Sequence, residues 1–210
     1  MKKLTLYRLL IVLLGVIGLI SQMYPSDFYK LTYYTTQSNL MVAIFFGYTV
    51  YLMLQSKDTI LQSARFLRLK GGVTLMITLT FLVYAIMLAP QVEPKDFYTI
   101  HNFTLHYAVP ILVILDWLLF DKGYAYRWST PLYWTIVPLA YLAFSLVKGY
   151  VLQIPIPDEK HSPYPYFFLN VGKYGWGPVV QYILALSAAY IVFGYLMLAF
   201  KKIQHRYSNR

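Results

Sequence analysis

The sequence predicts an all-α, polytopic integral membrane protein, with six transmembrane helices in one bundle. Three observations carry this. The 210 residues are 59% hydrophobic and only 12% charged, whereas a soluble domain carries about 25% charge. Six stretches approach the roughly 20 apolar residues that a bilayer-crossing helix needs. The basic residues cluster in short segments between them, as positive-inside topology requires.

The first stretch, 5–23, follows Lys2 and Lys3 and is apolar from Leu9 to Ile20. It imitates a signal peptide, but no small-x-small cleavage site follows. The chain continues Ser21-Gln22-Met23-Tyr24-Pro25, so a retained helix is expected. The second stretch, 38–55, emerges from the polar run Thr35-Thr36-Gln37-Ser38-Asn39 and turns apolar at Leu40. The third, 72–90, follows Arg65, Arg68 and Lys70. The fourth, 103–120, emerges from His101-Asn102-Phe103-Thr104-Leu105-His106 and holds Pro110. The fifth, 131–148, holds Pro138. Bundles tolerate such prolines because neighbours resatisfy the freed backbone groups. The sixth stretch is 178–200.

A long segment, 149–177, precedes the sixth stretch. It holds Pro155, Pro157, Pro163 and Pro165, with Tyr164, Tyr166, Phe167, Phe168, Tyr174 and Trp176. A long loop in a compact protein is commonly a lid, a binding loop or disordered. So many aromatics argue against disorder. The expectation is a structured extracytoplasmic cap, or else an aromatic interface belt without a site role. No repeat or linker is visible, so 1–210 reads as a single six-helix transmembrane domain.

With the N-terminus in the cytoplasm, Lys2, Lys3, Arg8, Lys57, Arg65, Arg68, Lys70, Lys122, Arg127, Lys201, Lys202, Arg206 and Arg210 lie inside. Lys30, Lys95, Lys148, Lys160 and Lys173 lie outside. That division, 13 of 18 basic residues inside, places both termini in the cytoplasm and the protein in the cell membrane. The net charge of +10 is thereby explained without a nucleic acid partner. Cysteine is absent, which excludes disulfides, thiolate nucleophiles and Cys-ligated metals. No phosphate loop, H-E-x-x-H or G-x-S-x-G occurs. His101 and His106 are five residues apart and point to different faces, so neither a metal site nor a cofactor is expected.

Polar residues inside spans are costly and are functional candidates by default. In this topology the second and fourth helices both run inwards. Thr35 to Asn39 and His101 to His106 therefore enter from the same, outer side. Spacings of three and four put Thr35, Ser38 and Asn39 on one face, and Asn102 and His106 on another. A hydroxyl beside an imidazole is the minimal activated nucleophile. The competing reading makes Ser38 and Asn39 caps and interhelical hydrogen bonders, with His106 a satisfied core residue. Asp116, inside the fourth helix, falls at the same shallow depth as Arg8 in the first. The expectation there is a structural ion pair, with a proton or ion relay as the alternative.

The run Tyr33-Tyr34-Thr35-Thr36-Gln37-Ser38-Asn39-Leu40 resembles the aromatic-Thr-x-Gln-Ser-Asn-Leu motif of the bacterial Pr6Pr family of six-helix membrane proteins. Leu105-His106-Tyr107-Ala108-Val109-Pro110, continuing to Asp116 and Asp121, resembles that family's second motif, and Gly175-Trp176-Gly177 a weaker third. The family distantly resembles the eukaryotic androgen-induced and androgen-dependent membrane proteins, threonine-histidine hydrolases of branched fatty-acid esters. That resemblance selects Thr35 over Thr36 and His106 over His101. It implies a lipid-ester hydrolase with Thr35 as nucleophile and His106 as base. Gln37, Ser38, Asn39 and Asn102 are the candidate oxyanion donors or orienters, and Tyr34 and Trp176 complete the candidate substrate-binding set. The expected partners are membrane lipids, including an ester substrate. The rival expectation is a non-catalytic lipid or small-molecule binder or transporter. A transporter should show internal symmetry or paired broken helices, and neither is evident.

Overall fold

In the computed structural model, residues 2–157 and 162–208 are described. Lys160 and Arg210 of the charge count, and residues 158–161 of the long loop, lie outside them. The described residues form helices and connecting loops, with no strand among them. Six helices are long and apolar enough to cross a membrane. They are α1 (Lys2–Met23), α2 (Tyr34–Leu54), α3 (Ala64–Gln91), α4 (Ile100–Phe120), α5 (Thr130–Val151) and α6 (Trp176–Tyr207).

Each helix begins before its apolar stretch does. Hydropathy marks only the greasy part of a helix, whereas backbone bonding continues into polar flanks. The largest difference is α3, which starts at Ala64 rather than near residue 72. Its start is fixed by Ser63, whose hydroxyl accepts from the Phe66 amide. Arg65, Arg68 and Lys70 are good helix formers and extend the helix through the basic run. Thr99 caps α4 in the same way, accepting from the Asn102 amide.

Successive helices alternate in direction. The starts of α1 and α3 and the ends of α4 and α6 meet around Arg8, Lys70, Asp116 and Lys201. This is the charged end. The start of α2 and the first turns of α4 meet at the opposite end, where Asn39 reaches Leu105. Between the ends lies an apolar layer of Ile11, Val42, Phe46, Ile77, Val109 and Val113. These side chains are fully buried. The segment between α5 and α6 folds back over the bundle. Tyr164, Tyr166, Phe168 and Leu169 are buried against Tyr34 and Tyr141.

Three π turns interrupt the spans, at Tyr84–Leu88, Thr104–Ala108 and Val147–Val151. The second has a readable cause. In it the Val109 amide donates to Thr104 O instead of to Leu105 O. The next residue, Pro110, has no N–H to offer. Leu105 O is therefore left without a helical donor, and a side chain from α2 supplies one.

Candidate functional site

That donor is Asn39. Its Nδ2 bonds Leu105 O at 3.0 Å and Thr35 O at 2.9 Å. Asn39 thus joins the first turn of α2 to the π turn of α4. Ser38 Oγ adds a link to α3, lying 2.8 Å from Thr80 Oγ1 and 3.0 Å from Thr35 O. Gly18 of α1 lets this assembly close. A Cβ there would collide with Thr104 Oγ1 and come within 2.6 Å of Leu105 Cδ2.

The π turn presents His106. Its Nδ1 lies 3.2 Å from Asn102 O. A carbonyl only accepts, so Nδ1 carries the hydrogen and Nε2 keeps its lone pair. The ring stacks on Tyr84 with centroids 3.7 Å apart and planes at 19°. The imidazole is therefore held in one tautomer and one ring orientation by Asn102 and Tyr84.

Thr35 is buried where two cavities meet. One, of about 210 Å³, is almost wholly apolar, with Leu79, Val83, Leu142, Leu169 and Ile183 in its walls. The other is a more polar vestibule of about 410 Å³, with Gln22, Lys30, Gln91, His106 and Tyr166 in its walls. Thr35 lines both, and so does Tyr166. Thr35 and His106 share the vestibule, but no hydrogen bond joins them in the described residues. The Tyr166 hydroxyl accepts from the Thr35 amide at 3.4 Å. Burial pushes the Tyr166 phenol above its ordinary value, so it keeps its hydrogen at neutral pH.

The other sequence candidates occupy different places. Tyr34 lines the apolar cavity. Gln37 Nε2 donates to Leu31 O at 2.8 Å, and Asn102 Nδ2 to Phe97 O at 2.8 Å. With Asn39 Nδ2 on two carbonyls, these three amides spend hydrogen bonds on main chain. Trp176 packs edge-on to Tyr150 at 5.0 Å and lines neither cavity. Thr36 bonds Gln22 at 2.9 Å, and His101 sits 3.3 Å from Thr99 Oγ1. Tyr166 and Tyr84 are the residues that the sequence left unassigned. Tyr166 was visible only as one aromatic among several in the loop, and Tyr84 as one aromatic in an apolar span.

At the charged end, Arg8 Nε lies 2.9 Å from Asp116 Oδ1. Lys70 bridges Asp116 and Asp121. Lys201 Nζ donates to Leu118 O at 3.1 Å, Asp121 O at 2.8 Å and Gln204 Oε1 at 2.8 Å. The pair Arg8–Asp116 is thus one part of a network drawn from α1, α3, α4 and α6. Among the described residues no three His, Asp or Glu side chains gather as a metal ion would require.

Six spans of sufficient length and apolarity decide the class. This is an integral membrane protein. No family model, curated protein or solved structure matches the chain. What the site does has to follow from its own geometry.

Proposed function

We propose that the protein hydrolyses an ester bond of a membrane lipid, with Thr35 as nucleophile and His106 as general base. The observation that carries this is the position of Thr35 on the shared wall of an apolar cavity and a polar vestibule. An amphiphile lying across that wall puts its acyl chain in the first and its polar part in the second. The ester between them then falls at the threonine. The likeness of Thr35 and His106 to threonine-histidine hydrolase positions points the same way.

The chemistry needs each group. Threonine is a poor nucleophile until a base takes its proton, so Thr35 Oγ1 and His106 must approach to about 2.6–3.2 Å. As Oγ1 attacks the carbonyl carbon, His106 Nε2 accepts the hydroxyl proton. The Tyr166 hydroxyl stands beside Thr35 to donate to the developing oxyanion. Collapse breaks the bond to the alcohol, which takes the proton from His106. Water, activated by the same imidazole, then cleaves the acyl-threonine ester and releases the fatty acid. The excess of basic residues at the charged end supports a reading with that end in the cytoplasm and the site in the outer leaflet of the cell membrane.

The missing Thr35–His106 hydrogen bond favours a second reading, in which the same cavities bind a lipid or small molecule without cleaving it, in storage or transport. Purified protein, an activity-based hydrolase probe and a panel of lipid esters separate the two. Hydrolysis requires Thr35→Ala and His106→Ala each to abolish labelling and turnover, while Thr36→Ala and His101→Ala spare both. Saturable retention of an uncleaved ester by wild type, unaffected by Thr35→Ala, establishes the binding reading instead.

A further inference from the structure

The charged end contains more positive than negative charge, and it surrounds a cavity. Arg8, Lys70 and Lys201 are buried there, and among the described residues only Asp116 and Asp121 are buried carboxylates. Lys201 Nζ makes three hydrogen bonds, all to neutral oxygens. An amine with three acceptors is using three hydrogens, so Lys201 is an ammonium. Burying an unbalanced charge is expensive unless something compensates it. Arg8 shows where the compensation is missing. Its Nε and Nη2 face Asp116 at 2.9 and 3.4 Å. Among the described residues its Nη1 reaches only the thioether of Met53, at 3.4 Å, and a thioether is a weak acceptor. The side chain is nine-tenths buried and still lacks a proper partner for that nitrogen.

Arg8 and Lys70 both line a cavity of about 230 Å³ at this end. Lys122, Asp58 and Gln62, all exposed, line its rim. The floor is Met53, Phe66 and Leu67. Arg8 is six residues from the start of α1, a depth of about 9 Å. The 22-residue α1 is about 33 Å long, so Arg8 lies nearer one membrane surface than the midplane.

We propose that this cavity binds a phosphate-bearing anion, supplied by the headgroup of an anionic membrane lipid or by free phosphate, with Arg8 Nη1 and Lys70 as its inner contacts and Lys122 at the entrance. The anion neutralises the surplus charge of the network and takes the guanidinium hydrogens that Met53 cannot satisfy. Arginine suits the task because its planar fork presents donors in the geometry of phosphate oxygens. The surrounding basic residues of this end raise the local concentration of anionic lipid. The site lies across the apolar layer from Thr35 and His106, and it stands or falls independently of the hydrolase reading.

The test uses full-length protein purified in neutral detergent. Binding is read by native mass spectrometry and by thermal stability on titration with phosphatidylglycerol, phosphatidylcholine or inorganic phosphate. The expected result is one saturable phosphatidylglycerol per chain that raises Tm, with phosphatidylcholine much weaker. Lys122→Ala, an exposed substitution that leaves the buried network intact, weakens binding about tenfold, and Asp58→Asn tightens it. Arg8→Lys weakens it further while keeping the charge. If inorganic phosphate alone saturates with the same dependence on Lys122 and Asp58, the free anion is the ligand and the site is upheld. If neither anionic probe exceeds phosphatidylcholine, or if Lys122→Ala and Asp58→Asn leave binding unchanged, the network is only an ionic clamp and the proposal is wrong.

Discussion

Asn39 and Leu105, 66 residues apart in sequence, are joined by a 3.0 Å hydrogen bond from Nδ2 to the carbonyl that the π turn releases. The bond lets the helix that carries His106 deviate from α geometry without leaving a buried acceptor unpaired. Asn39→Ala removes it and leaves Leu105 O without a donor, while Thr35 O keeps Ser38 Oγ. Leaving a buried acceptor unpaired costs about 1–3 kcal/mol. A clear fall in Tm is expected for Asn39→Ala, and a larger one for Asn39→Asp, whose carboxylate would face two carbonyl oxygens. An unchanged Tm for Asn39→Ala would remove Asn39 from this role.

Gly18 gives a paired comparison. A Cβ at Gly18 meets Thr104 and Leu105, whereas a Cβ at Gly15 meets nothing nearer than Ala43 Cβ at 3.7 Å. Overpacking a close contact costs about 1–3 kcal/mol. Gly18→Ala should therefore destabilise the protein and lower the proposed ester turnover, because it pushes on the turn that presents His106. Gly15→Ala should do neither. Thermal unfolding and ester turnover on both variants decide it.

Asp116 faces two cations, Arg8 and Lys70, while Arg8 faces one carboxylate. Removing one partner of a buried pair costs about 3–5 kcal/mol in soluble proteins. Asp116→Asn should be more destabilising than Arg8→Met, since it leaves two cations facing a neutral amide. The double variant should lose less than the sum of the singles, as expected for groups in one network. Equal, additive losses in chemical denaturation would show that the two side chains do not couple.

Tyr166→Phe tests the oxyanion role. The ring and its stacking on Phe168, with centroids 5.1 Å apart, are retained, so substrate binding should change little. Loss of an oxyanion donor lowers kcat by about 10²–10³-fold. A rise in KM with kcat unchanged would instead make Tyr166 part of the binding wall.

Both termini are expected in the cytoplasm. Reporter fusions after residue 210 and within 155–165 should report opposite sides of the membrane. An external C-terminus would reverse the orientation and put Thr35 in the cytoplasmic leaflet.

The spans were legible because a bilayer demands a continuous apolar run, and six such runs are present. Their ends were less legible. The basic residues before the third run are helical because Ser63 caps them and Lys70 finds carboxylates, and neither fact shows in hydropathy. Thr35 and His106 could be placed at one end from helix direction alone, and the vestibule is where both are found. The amides beside them were legible as polar residues but not in their bonding. Whether Asn39 serves substrate or backbone depends on a π turn in another helix. Lys70 and Lys201 read as loop-proximal charges because the carboxylate and carbonyls that bury them lie 51 and 80 residues away.

The apolar layer of Ile11, Val42, Phe46, Ile77, Val109 and Val113 acts as an electrical insulator inside the protein. The hydroxyls that cross its depth on α3, Thr74 and Thr78, bond back to carbonyls of their own helix. A membrane protein with charges buried in its interior risks becoming a leak, and here the path between the two ends is narrowed to those self-bonded hydroxyls. The two ends can therefore change in sequence separately, each answerable to the leaflet that it faces.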